Sequence, residues 1–118
     1  MATHCADIKW ALEHGEDFLK GRYSRGHTAG FDGGAEDFAS ASPHVVAKWG
    51  VEAAVDPEEK VVAAISNCHM MSFLHVARLA GFTVVSYHDH AEGVLGEIAP
   101  DRLVITKIAL DPKNEWLG

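Results

Sequence analysis

Cys68 has the widest chemical reach of any residue in this chain, because a thiolate is at once a nucleophile, a metal ligand and an oxidisable group. It lies in Ala63-Ala64-Ile65-Ser66-Asn67-Cys68-His69-Met70. With 3.6 residues per helical turn, Cys68, Ser72 and His75 share an arc of about 60°, with Ile65 and Val61 beside them. The thiol is thus expected on a mostly apolar stripe with two polar neighbours. Such a thiolate can attack the O–O bond of a peroxide and pass to a sulfenic acid, provided a cation or hydrogen-bond donor offsets its desolvation. The competing reading is a packed cysteine that behaves as a small hydrophobe.

Few cations are placed to supply that offset. His75 lies two turns along the helix, about 10 Å away, and Arg78 lies further still. Arg22 and Arg25 are expected on a strand, where a solvated face competes with a role in the site. Glu58 precedes Cys68 by about 15 Å of helix, so it would reach a thiolate only from a second subunit or by fixing an arginine. Among the eight histidines, His88 and His90 in Tyr87-His88-Asp89-His90 share one strand parity, a spacing that can chelate, with Cys68 and His44 as conceivable further ligands. No CxxC or HExxH spacing accompanies them, so no metal is assigned. GxSxG, GxGxxG and P-loop patterns are absent, and no cofactor is called for.

The element that must carry the thiol is the best marked in the sequence. Asp56 suits an N-cap, Pro57 the first helical position, and Glu58 and Glu59 the positive end of the macrodipole. The helix should run to about Ala80, with Gly81 as its stop. Apolar residues cover most of its circumference, which requires burial on several sides and a partner subunit as the simplest cover. Upstream, Ala6 to Glu13 alternates as a half-buried strand, His14 to Asp17 reads as a turn, and Lys20–Thr28 and Ala35–Ala39 read as strands flanking the Gly30-Phe31-Asp32-Gly33-Gly34 turn. Ser40 to Val55 reads as a long loop. Downstream, Thr83–Glu92 and Arg102–Leu110 are expected to pair across Gly96–Asp101, and Asp111 onward to add no element. The order predicts one α+β domain over residues 1–118.

Bulk properties narrow the function. The 118 residues are 47% hydrophobic and 23% charged, an ordinary globular composition. Ten basic against seventeen acidic residues give a net charge of −7, which with no basic run argues against nucleic-acid binding. Asn67, His69, His75 and Arg78 interrupt the most apolar stretch, so no membrane span is expected. Met1-Ala2-Thr3-His4-Cys5 carries no secretory pattern, and the expected location is cytoplasmic, with Cys5 and Cys68 reduced.

Asp56-Pro57-Glu58-Glu59 followed by Cys68-His69-Met70, together with Phe31-Asp32-Gly33-Gly34, Ser42-Pro43-His44-Val45-Val46 and Leu110-Asp111-Pro112, resembles the signature of the OsmC/Ohr family. The resemblance covers most of the chain. It implies an intertwined α+β homodimer, with central helices between sheets and two sites at the subunit interface. It also implies a thiol-dependent peroxidase that reduces organic hydroperoxides or hydrogen peroxide. Cys68 would be the peroxidatic residue, with Glu58 and an arginine holding its thiolate, and a dithiol reductant would restore it. Two departures stand out. The family's second cysteine belongs to a helix expected after Pro112, where this sequence ends at Gly118, and Cys5 is a poor substitute. The loop that carries the family's arginine reads Gly30-Phe31-Asp32-Gly33, which leaves Arg25 as the candidate. These departures motivate an alternative, a catalytically silent dimer that binds a small ligand or metal.

Overall fold

The computed structural model describes residues 1–117, which divide into two compact units, Met1–Pro57 and Glu58 onward. The first unit is built on three antiparallel strands in the order β1 (Ala6–Lys9), β2 (His27–Phe31), β3 (Glu36–Ala39). The β2–β3 hairpin turns where the glycines predict it, and Gly34 takes a φ of 94° that other residues rarely adopt. Asp37 and Phe38 lead into a loop held by buried serines. Ser40 is fully buried and its Oγ accepts from Val51 N at 2.9 Å, while Ser42 Oγ accepts from His44 N at 3.1 Å. This is the long loop expected over Ser40 to Val55.

The stretch expected as a strand over Lys20–Thr28 is instead a compact turn, and β2 begins only at His27. Glu16 is the cause. Its carboxylate accepts from Glu13 N at 2.9 Å and from Ser24 N at 2.7 Å, and Asp17 and Arg22 exchange backbone hydrogen bonds at 3.0 and 2.9 Å. A side chain that satisfies two backbone amides, beside a local backbone bridge, removes the need for a sheet partner here. Arg22 and Arg25 therefore sit in a turn and its exit, not on a strand face.

The second unit carries the helix, α1 (Pro57–Leu79), with Glu58 and Glu59 in its first turn and Arg78 in its last. Its end is a Schellman arrangement. Gly81, at φ 87°, donates to Arg78 O at 3.1 Å and Phe82 N donates to Ala77 O at 2.9 Å.

Four strands follow, and their pairing corrects the sequence-based expectation. β4 (Thr83–Asp89) pairs with β7 (Pro112–Leu117), while β5 (Glu92–Ala99) pairs with β6 (Arg102–Ala109) across the turn Pro100-Asp101. The apolar run after Gly81 therefore breaks at His90-Ala91, and the segment after Asp111 is a strand. Asp101 takes a φ of 61°, which an Asp tolerates in a tight turn.

One stripe of the helix packs on these strands. Phe73 meets Tyr87 and Trp116 with ring centroids 5.8 and 5.7 Å apart, and Trp116 meets Phe82 at 5.5 Å. Val62 lies over Gly93 so closely that a Cβ there would approach its Cγ2 to 2.5 Å. Among the described residues the buried hydrophobic side chains are all alanines: Ala29, Ala39, Ala54 and Ala77.

Candidate functional site

Positions 62, 66, 69 and 73 of α1 follow one another at helical spacing and face β4, β5 and β7. Positions 61, 65, 68, 72, 76 and 79 make up a different stripe, and all of them are exposed. Ile65 is 43% exposed, Val76 64% and Leu79 67%. Cys68 stands in the middle of that stripe as a free, exposed thiol, and Ser72 and His75 are exposed with it. The wheel argument thus placed the three residues together. Its expectation of wholesale burial does not hold within one chain. Cys68 Sγ makes no hydrogen bond among the described residues.

Glu58 opens the same helix, ten positions earlier, at about 15 Å along the axis. The structure does not bring it to Cys68 of its own helix. Its Oε2 is nevertheless buried and has no hydrogen-bond partner. A sealed carboxylate oxygen without a donor is costly to bury.

Arg25 belongs to the first unit. Its Nη1 donates to Tyr23 O at 2.6 Å and Gly21 O at 3.3 Å, and its guanidinium lies 3.5 Å from the Tyr23 ring centroid. No carboxylate pairs with it among the described residues.

Beneath the helix, a polar network escaped the sequence reading. Ser66 Oγ donates to Asp89 Oδ2 at 2.6 Å, Asp111 N donates to Asp89 Oδ1 at 2.7 Å, and His69 Nδ1 lies 3.0 Å from Tyr87 Oη. The Ser66 hydroxyl first, and then the Asp111 amide, hold the Asp89 carboxyl below its ordinary pKa. Partial burial, and next the Asp89 charge, push the Tyr87 hydroxyl upward. Strand parity was the available signal. It puts Tyr87 and Asp89 on the face toward the helix and leaves His88 and His90 exposed on the other, where His90 Nε2 lies 3.5 Å from Glu92 Oε1. The pair at 88 and 90 thus faces away from Cys68's helix. Among the described residues no three acidic, His or Cys side chains are grouped to hold a metal ion. No helix of the described residues is long and apolar enough to cross a membrane.

No family model and no curated protein matches the chain. Among solved structures, an OsmC-like protein of unknown function, VCA0330 from Vibrio cholerae, is similar at 45% identity with a TM-score of 0.92. The match covers 100% of this chain and 77% of that one. An identity that high over the whole length of this chain, with a matching fold, shows common descent: this chain belongs to the OsmC-like family.

Proposed function

We propose that the protein is a thiol-dependent peroxidase that reduces organic hydroperoxides or hydrogen peroxide with Cys68 as nucleophile, at the interface of a homodimer. The observation that carries this reading is the free, exposed thiol in the middle of a mostly apolar and exposed helix stripe. A second copy laid over Val61, Ile65, Val76 and Leu79 would enclose Cys68 in a low-dielectric junction while leaving it reachable through the polar break at Ser72 and His75. The orphaned Glu58 oxygen supports the same arrangement, since it lacks a donor such as a guanidinium, and Arg25 has donors that no carboxylate takes up among the described residues.

The Cys68 thiolate attacks the terminal peroxide oxygen, the O–O bond breaks, and the alcohol or water leaves with one proton. The sulfur is then a sulfenic acid, oxidised by two electrons. A dithiol reductant condenses with it, releasing water and forming a mixed disulfide. The second thiol of the reductant displaces Cys68 as thiolate and carries away the disulfide. Glu58 and Arg25 act as positioning residues, the carboxylate orienting the guanidinium and the guanidinium favouring the anionic sulfur.

The test is consumption of cumene hydroperoxide in the presence of dithiothreitol. Cys68→Ser should fall to the uncatalysed background with an unchanged circular dichroism spectrum, and turnover that survives the substitution overturns the assignment.

A further inference from the structure

The first unit contains a cavity of about 380 Å³ lined by Trp10, Phe18, Tyr23, Arg25, His27 and Ala41, with Pro57 at its edge. The volume lies near the low end of the range for small-molecule clefts, about 300–1,000 Å³. Its walls are aromatic. Trp10 meets Tyr23 edge-on at 5.4 Å, Phe18 stacks on Tyr23 at 4.9 Å, and Trp10 and Phe18 are inclined to each other at 6.1 Å. Trp10 and Phe18 are still 42% and 52% exposed, so large parts of both rings remain uncovered. The polar ends of these side chains are occupied elsewhere. Trp10 Nε1 donates to Ser24 O at 3.0 Å, and Glu16, in the same turn, spends both oxygens on backbone amides.

The charge in this cavity is unbalanced. Arg25 is fixed by two carbonyls and by the Tyr23 ring, and its remaining donors make no hydrogen bond among the described residues. His27 Nδ1 lies 2.8 Å from Arg25 O; a carbonyl can only accept, so that nitrogen bears the hydrogen and the ring orientation is set. A rigid guanidinium beside apolar walls, with no carboxylate, is a receptor for an anion with a planar group attached.

We propose that this cavity binds a small aromatic carboxylate, its ring on Trp10 and Phe18 and its carboxylate on the unoccupied donors of Arg25. A single guanidinium matches a single negative charge. A doubly charged phosphate would leave one charge buried and unpaired, in a chain whose net charge of −7 already opposes it. Ring stacking supplies affinity and the guanidinium fork supplies selection for the acid. The cavity is formed within the first unit and shares Arg25 with the arrangement proposed for Cys68, so ligand and thiolate would compete for its donors, but binding is read without turnover.

Calorimetric titration of the full chain with 2-naphthoate and with its neutral counterpart 2-naphthylmethanol tests it. The acid should bind at least tenfold more tightly than the alcohol. Arg25→Met should erase that preference while retaining the alcohol's affinity, and Trp10→Ala should weaken both ligands. Cys68→Ser should bind the acid as the parent does, so a failed peroxidase assay leaves this result standing. Equal affinity for acid and alcohol in the unmodified protein, which needs no variant to fold, overturns the proposal. So does a lack of binding to either ligand. Dissociation of an oligomer by naphthoate in sedimentation would mean that another copy of the chain fills the cavity, and would overturn it too.

Discussion

At the scale of single residues, two carboxylates in the second unit have opposite circumstances. Glu58 has an oxygen sealed without a donor, whereas both oxygens of Asp89 are occupied by Ser66 and the Asp111 amide. Glu58→Gln keeps the side chain's size and removes its charge. If the carboxylate orients a guanidinium toward the thiolate, the rate of Cys68 oxidation by cumene hydroperoxide should fall about tenfold or more, the equivalent of one pKa unit of lost support. Stopped-flow thiol titration at pH 7 measures this directly. Asp89 makes a prediction about pH. Its pKa is lowered in the folded state, so across the acid range the unfolded chain binds more protons. The stability it contributes is therefore fully present above about pH 3.9 and is lost as pH falls through the folded value. The urea midpoint of the parent should drop more steeply below about pH 4 than that of Asp89→Asn, and parallel curves would exclude the effect.

At the scale of elements, the helix is the part most readily read from the sequence, because its signals are local. Pro57, Glu58, Glu59 and Gly81 each act within one turn, and the observed span Pro57–Leu79 ends at the glycine as expected. The side of the helix that carries Cys68 was equally legible, since angular position follows from residue count alone. β7 was not. Pro112-Lys113-Asn114-Glu115 has the composition of a loop, and it becomes a strand only because β4 offers a distant ladder, with Pro112 in the first position where its missing N–H does least harm. The turn over residues 13–24 was missed for a related reason. One carboxylate, Glu16, organises it, and no periodicity announces that. Gly93 offers a test of how the helix sits on its strands. Gly93→Ala should set a methyl against Val62 and cost about 1–3 kcal/mol, the usual penalty of overpacking, while leaving α1 helical. Chemical denaturation monitored by circular dichroism provides both readings.

At the scale of the molecule, a second copy of the chain is the cover we propose for the apolar side chains that the second unit leaves exposed, Ile65, Val76, Leu79, Phe82 and Ile98 among them. Sedimentation equilibrium should return twice the mass of the chain. Ile65→Glu and Val76→Glu, each placing a charge on the uncovered stripe, should weaken the association by at least tenfold and take peroxide turnover down with it. A monomeric parent with full activity would separate the chemistry from the assembly.

The pairing of β4 with β7 also bears on how the protein is made. The ladder joins Thr83 to Leu117, and the rings that support Phe73 include Trp116. During synthesis the completed helix must wait for about 35 further residues before that support exists, an interval of about 2–7 s at 5–20 residues per second. The helix can form as soon as its own residues are made, but the face that carries Phe73 settles only when the end of the chain arrives, so its docking is a late event that shortening the chain before Trp116 would abolish.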